Sequence, residues 1–98
     1  MKDLIKKMED CWEVDTGFLY FLREGIFHHD LYVDFINSLK EIEAFEDLVP
    51  SRLVTLLWYI SPFIEWQRDR VTNSISLDEY DIIVIEIQNQ LERILGIP

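Results

Sequence analysis

Cysteine is almost absent from this 98-residue sequence, and its one cysteine, Cys11, excludes a disulfide framework and a cysteine-ligated zinc site within one chain. Three glycines and three prolines are too few for a low-complexity chain. The longest apolar run, residues 56–60, is much shorter than the roughly 20 residues that a membrane-spanning helix needs. The opening segment MKDLIKK has no apolar stretch of signal-peptide length. We therefore expect a soluble, cytoplasmic protein without a membrane partner.

Positive charge is also scarce. Nine lysines and arginines against 19 aspartates and glutamates give a formal net charge of −10 at pH 7. Such a chain repels nucleic acids and anionic membranes, because affinity for either depends largely on Lys and Arg. We expect no nucleic-acid partner and a basic protein partner, which the charge would attract over long range. The alternative is that the acidity only confers solubility.

Apolar residues recur at intervals of three and four along nearly the whole sequence, which is typical of amphipathic helices. At 49% hydrophobic composition, 98 residues are sufficient for one modest core. We therefore predict an all-α fold, a compact bundle of five to seven helices forming a single domain over residues 1–98. The predicted helices are residues 2–13, a short helix ending at Gly25, 30–45, 51–60, 63–70 and a last helix ending at Gly96-Ile97-Pro98.

Capping residues and proline mark the ends of these helices. Asp15 or Thr16 is expected to cap the second helix, and Asp30 the third. The Ser61-Pro62 pair is expected to break or kink the chain before the fifth helix, with its serine as the cap. The segment Ser-Leu-Asp-Glu at residues 76–79 is a capping-box pattern that predicts the start of the last helix.

The last helix has the clearest apolar stripe, formed by Tyr80, Val84, Ile87, Leu91 and Ile94. A β-branched run at residues 82–85 leaves a strand as a competing interpretation there, but the length and the capping favour a helix. Ile82 and Ile85 point away from the stripe. Either this is a central helix packed on several sides, which we favour in so small a chain, or these isoleucines form an interaction patch.

Residues that could carry chemistry are few. His28, His29 and Asp30 could hold a metal ion, but adjacent histidines usually diverge, and a capping segment is the favoured interpretation. Cys11 lies on an apolar stripe, where a buried, inert thiol is expected. The glycines are too dispersed for a phosphate-binding loop, and no serine lies in a nucleophile-elbow pattern. We predict neither an enzyme nor a cofactor or metal site.

Acidic residues are concentrated in two places that we predict to bind a partner. On the third helix, a stripe at i, i+4, i+7 and i+11 has no base: Asp30, Asp34, Asn37 and Glu41. A second group precedes the second helix: Glu9, Asp10, Glu13 and Asp15. Glu43, Glu46 and Asp47 extend the negative region. Because like charges at i and i+4 cost about 0.2–0.5 kcal/mol per pair, the stripe indicates a docking face for Lys, Arg or His, or else a neutral consequence of an acidic chain.

Thirteen aromatic residues are more than a core of this size needs. Tyr20 lies off the apolar face of the second helix, and Trp66 is close in sequence to Glu65 and Asp69. Tyr and Trp with acidic neighbours are typical anchors of protein interfaces, so we predict that Tyr20 and Trp66 also bind the partner. Most of the other aromatics are expected in the core.

Residues 12–27, above all Gly-Phe-Leu-Tyr-x-Leu-Arg-x-Gly-x-Phe at 17–27, continued by Phe-Ile-Asn-Ser-Leu at 35–39, resemble a known family. The sequence is similar here to small α-helical immunity proteins of bacterial contact-dependent growth inhibition and related polymorphic-toxin loci. The resemblance spans about residues 8–45. It implies a protein that neutralises a cognate toxin, frequently a ribonuclease or another nuclease, by binding it in the cytoplasm. Such families vary at their interfaces, so the resemblance assigns no contact residue.

The charge leads independently to the same expectation. A nuclease is cationic where it holds phosphate, and an inhibitor can cover that surface with carboxylates. We therefore expect an immunity protein that forms a 1:1 complex, as a monomer, with a basic nuclease toxin, with a ribonuclease favoured. The alternatives are a small acidic adaptor or homo-oligomeric regulator that uses Ile82 and Ile85, and a nucleic-acid mimic that blocks a DNA-binding enzyme.

Overall fold

The computed structural model describes residues 2–46 and 48–96, with side chains from Asp3 onward. Six α-helices follow one another, and no strand occurs within those ranges, so the all-α prediction is confirmed. Asp47 and the predicted stop at Ile97-Pro98 lie outside the described residues. The helices are α1 (Lys2–Trp12), α2 (Phe18–Arg23), α3 (His29–Glu41), α4 (Ser51–Trp58), α5 (Ile60–Trp66) and α6 (Leu77–Leu95), with a 3-10 turn at Arg68–Arg70 between the last two.

The buried apolar side chains form one contiguous cluster to which every helix contributes. α6 packs against α3, α4 and α5, while α1 packs against α2, α3 and α4. The predicted stripe on α6 faces this core: Tyr80, Ile87, Leu91 and Ile94 are buried, and Val84 packs on it half-buried. The radius of gyration, 13.1 Å, is that of a compact chain of this length. No helix among the described residues is long and apolar enough to cross a membrane.

The starts of α2 and α3 differ from the prediction. α2 follows Gly17, with no side-chain cap from Asp15 or Thr16. Asp15 instead has a positive φ of 71°, in the turn that joins α1 to α2. α3 begins at His29 after the extended His28, so Asp30 lies inside its first turn, where its charge favours the positive end of the helix.

α3 ends at Glu41 rather than near residue 45, and the reason is a tertiary contact. Ile42 turns into an extended conformation while its side chain stays buried. The Arg93 guanidinium of α6 donates to the carbonyl oxygens of Leu39 and Ile42 at 3.0 and 2.8 Å. The carbonyls at the helix end therefore receive donors from a residue far along the chain, in addition to the Ile42 N–H that donates to Leu39, so the helix can stop there.

The break between α4 and α5 falls at Tyr59, not at the Ser61-Pro62 pair. Pro62 lies in the first turn of α5, where its missing N–H removes no helix hydrogen bond. Ser61 does not cap the helix; its hydroxyl accepts from Gln88 Nε2 at 3.1 Å. The predicted helix over residues 63–70 is also divided, because α5 ends at Trp66 and a 3-10 turn follows.

Two predicted helix ends are confirmed. Ser76 Oγ accepts a hydrogen bond from the Glu79 N–H at 3.2 Å, as the capping pattern predicts. Gly25, directly after α2, has a φ of +82°, in the left-handed region that favours glycine.

The favoured interpretation, in which α6 is a central helix that packs Ile82 and Ile85 against its neighbours, is wrong. The side chains of these two residues are 66% and 58% exposed, so α6 is not surrounded by other helices along its first half. The helix covers the bundle with the Tyr80–Ile94 stripe and leaves the opposite side to solvent. Because α6 lies on one side of the bundle, its isoleucines form an unpartnered apolar face.

Candidate functional site: an acidic cleft between α1 and α3

An open cleft of about 450 Å³ lies between α1, the start of α2 and α3. Its polar wall contains Asp10, Asp34, Asn37 and Glu41, together with Lys7; we call this site the acidic cleft. Apolar side chains also line it: Cys11, Phe18, Leu31 and Phe35. Three of the four members of the predicted α3 stripe therefore share one concave surface with an acid of α1.

The absence of a side chain at Gly17 lets the backbones of α1 and α2 approach closely beside the cleft. A Cβ atom at this position would lie 2.3 Å from the carbonyl oxygen of Cys11, which no side chain can accept. The glycine therefore permits the start of α2 to pack directly on the last turn of α1. Phe18, the next residue, is buried and stacks on Phe35 of α3 with ring centroids 5.1 Å apart. The beginning of the 17–27 segment thus serves packing around the cleft.

The α3 stripe itself carries no base, as predicted, but another helix places one beside Glu41. α1 brings Lys7 next to it, and the Lys7 ammonium lies 2.8 Å from a Glu41 carboxylate oxygen. The pairing raises the pKa of Lys7, chiefly through the hydrogen bond to Glu41. Asp30 and Asp34 are both exposed, and neither takes part in an ion pair among the described residues. Asp34 is therefore the unneutralised carboxylate of the acidic cleft.

Half of the second acidic group is neutralised. Lys6 pairs with Asp10 at 2.7 Å, and Arg52 of α4 pairs with Glu9 at 3.0 Å. Glu13 and Asp15 are exposed in the α1–α2 connection and form no ion pair among the described residues. Of this group, Asp10 lines the acidic cleft.

Asp15 and Tyr20 are joined by a hydrogen bond. Tyr20 Oη donates to Asp15 Oδ1 at 3.1 Å, and this bond is the main cause of the raised pKa of Tyr20. The Arg23 guanidinium carbon lies 5.7 Å from the centre of the Tyr20 ring, within the range of a cation–π contact. Tyr20 therefore belongs to a surface that continues toward α5, away from the α3 stripe.

Tyr20 and Trp66, the two predicted aromatic anchors, line a second cleft of about 330 Å³ between α2 and α5. We call it the aromatic cleft. The other side chains that line it are Trp12, Leu19, Arg23, Tyr59, Phe63, Gln67 and Arg70. Sequence reasoning did not single out Gln67, Arg23 or Arg70. No local pattern could join the two arginines, because they are separated by 47 residues and meet only in the fold, where Arg70 Nη1 donates to the Arg23 carbonyl at 3.3 Å.

The groups considered for metal or covalent chemistry are placed as follows. Among residues 2–46 and 48–96, no three or more His, Cys, Asp or Glu side chains are arranged to hold a metal ion. The His28 ring packs against Phe21 with ring centroids 4.4 Å apart. Cys11 Sγ donates to the Lys7 carbonyl at 3.2 Å, and burial raises the pKa of the thiol to about 12. The thiol is therefore protonated at neutral pH and a weak nucleophile.

Comparison with family models, with curated proteins and with solved structures finds no match for this chain. What the site can do is therefore argued from its geometry. The acidic cleft offers carboxylate and amide oxygens on a partly apolar floor, an arrangement that suits the charged end and the aliphatic stem of a lysine or arginine side chain.

Proposed function

We propose that this protein is an immunity protein that binds and neutralises a cognate toxin, a basic nuclease with a ribonuclease favoured, in the cytoplasm. It acts as a monomer in a 1:1 complex, and its acidic cleft receives a Lys or Arg side chain of the toxin. The observation that carries the proposal is the unneutralised Asp34 beside Asn37 in a cleft of a chain with net charge −10. The resemblance of residues 12–27 to immunity proteins supports the same function.

The physical basis is charge complementarity. A nuclease concentrates positive charge where it binds phosphate, and a carboxylate can occupy that position. Charge-assisted hydrogen bonds between Lys or Arg and a carboxylate are stronger than neutral ones. Long-range attraction also accelerates the encounter, which matters for an inhibitor that must bind its toxin before the toxin reaches its substrate.

The Lys7–Glu41 pair gives the cleft a second carboxylate that a partner can use. Both side chains are about half exposed, and exposed ion pairs contribute little to stability. An arginine of the toxin can therefore displace Lys7 and pair with Glu41 while contacting Asp34. Planar guanidinium groups suit such a two-carboxylate site, because they present several donors in a fixed geometry.

The proposal is tested by growth rescue. The full chain is co-expressed in bacteria with the C-terminal domain of the protein encoded by the neighbouring reading frame. We expect that this domain alone arrests growth and that the chain restores growth. Rescue should be reduced by the D34K/E41K double variant and retained by E92K, a charge reversal at an exposed position of α6. A domain that does not arrest growth, or an arrest that the chain does not relieve, would contradict the proposal.

A second candidate function is a homo-oligomeric regulator or adaptor. The observation that favours it is the exposure of Ile82 and Ile85 on one side of α6. Exposed apolar side chains next to each other on a helix are typical of a helix–helix interface. Sedimentation of the purified chain distinguishes the candidates: a stable dimer that the I82D/I85D variant abolishes supports the regulator, and a monomer supports the immunity protein.

A further inference from the structure

The aromatic cleft is a second binding surface, distinct in chemistry from the acidic cleft. The ring centroids of Trp12 and Tyr59 lie 6.0 Å apart, and those of Tyr59 and Trp66 lie 5.7 Å apart, so three large rings follow one another along its wall. Trp66 remains 61% exposed. Clustered Trp and Tyr at a partly apolar depression are the residue types that dominate the binding energy of protein interfaces.

A buried amide lies in the wall of the cleft. Gln67 is only 5% exposed, and its Oε1 atom has no hydrogen-bond partner among the described residues. It is the one buried polar residue in the described ranges. Because this oxygen is itself shielded from solvent, a ligand in the cleft does not reach it, and the rings and the charge of the cleft determine what it can bind.

The charge of the cleft identifies the kind of ligand. Arg23 and Arg70 line it, and neither forms an ion pair with a described carboxylate. No Asp or Glu is present among the described lining residues. By contrast, most of the other basic side chains that the structure describes are paired with carboxylates: Lys6, Lys7, Lys40, Arg52 and Arg68. A strongly acidic chain thus leaves two guanidinium groups unneutralised at one aromatic depression.

We propose that the aromatic cleft binds an acidic peptide segment of a partner protein. An apolar side chain of the segment packs against Tyr59 and Trp66, and a neighbouring Asp or Glu pairs with Arg23 and Arg70. A basic segment does not fit, because its charge would face both arginines without a carboxylate to balance them. The proposal does not depend on the toxin-binding role, since that role uses the opposite charge on another surface.

The test is a peptide-display selection on the full chain with short random peptides, counter-selected against the R23E/R70E variant. We expect the enriched peptides to place Asp or Glu next to Trp, Phe, Tyr, Leu or Ile. Synthetic versions should bind the wild-type chain about tenfold more tightly than the W66A variant. I82A is the control, because Ile82 is an exposed apolar residue that does not line the cleft, and its affinity should stay within about twofold of wild type.

Several results would overturn the proposal. Enriched peptides without acidic residues, no enrichment at all, or equal binding to W66A and wild type would each do so. Self-association of the chain that R23E/R70E abolishes would show that a second copy occupies the cleft instead. The K40E variant controls for the loss of positive charge elsewhere, and its affinity for the peptides should be unchanged.

Discussion

The ammonium group of Lys7 on α1 lies 2.8 Å from the carboxylate of Glu41 on α3, across the acidic cleft. Two helices that are distant in sequence therefore meet through a pair that lies beside the unneutralised Asp34. This pair reduces the negative charge of the surface that we propose binds the toxin. It can open without cost to the core, because both side chains are in contact with water.

The first prediction concerns Lys7. The K7Q variant should leave the midpoint of urea unfolding nearly unchanged, since exposed ion pairs contribute little. It should accelerate capture of the basic toxin domain, because Glu41 is then free to attract it. Stopped-flow mixing measures the association rate, and K6Q, which frees Asp10 instead, is the comparison. A K7Q rate below that of wild type would contradict this account of the cleft.

The second prediction concerns Gln67. Replacing it by methionine, which has a similar shape, removes the unpartnered acceptor and should raise the free energy of unfolding by about 1 kcal/mol. Q88M is the matched control, because Gln88 donates to Ser61 and Glu65, and the variant should be less stable than wild type. Urea denaturation checks both variants; a destabilised Q67M would contradict the argument.

The third prediction concerns alkaline pH. Tyr80 is buried, and its hydroxyl donates to the Ile64 carbonyl at 2.6 Å. Burial raises its pKa above the ordinary value of 10.0, so the folded state holds the proton more tightly than the unfolded state does. The resulting stability is complete below about pH 10 and is lost progressively as the pH rises further.

Tyr80→Phe separates this effect from general alkaline unfolding. At pH 7 the variant should lose about 1–2 kcal/mol, because the Ile64 carbonyl is left without its partner. Above pH 10 its stability should fall less steeply than that of wild type. Urea unfolding curves at pH 8 and at pH 11 measure the free energy of unfolding of both proteins. An equal loss of stability between these two pH values would show that Tyr80 does not cause the alkaline destabilisation.

The fourth prediction concerns Gly17, where α2 packs directly on the last turn of α1. G17A should destabilise the fold by about 1–3 kcal/mol, because the new methyl group meets the Cys11 carbonyl. G96A is the comparison: no atom lies within 4 Å of its new Cβ, and only the φ of +88° opposes it. Thermal unfolding ranks the two variants. A G17A protein as stable as G96A would mean that α2 can move away from α1.

The helical architecture was predictable because the apolar period reports directly which face of each helix is buried. The Tyr80–Ile94 stripe and the capping pattern at residues 76–79 depend only on neighbours within a few residues. The end of α3 was not predictable, since it depends on Arg93 donating to carbonyls about 50 residues earlier in the chain. Local patterns therefore predict where helices lie better than where they stop.

The candidate site was likewise predictable only in the part that depends on local sequence spacing. The spacing of Asp34, Asn37 and Glu41 predicted a shared helix face, and these residues do line one cleft. The same spacing could not reveal that Lys7 lies opposite Glu41. The placement of Tyr20, Trp66 and Gln67 around a second cleft arises from the packing of α2 near the segment after α5, which no local pattern encodes.

The most direct test of the proposed toxin binding is the association rate between the chain and the C-terminal domain of the protein encoded by the neighbouring reading frame, which we propose to be the toxin, measured by stopped-flow across a salt series. For D34K/E41K we predict a rate about tenfold below wild type at low salt, with a difference that shrinks as salt screens the charges, whereas E92K stays close to wild type. Equal rates for D34K/E41K and wild type at every salt concentration would contradict the account.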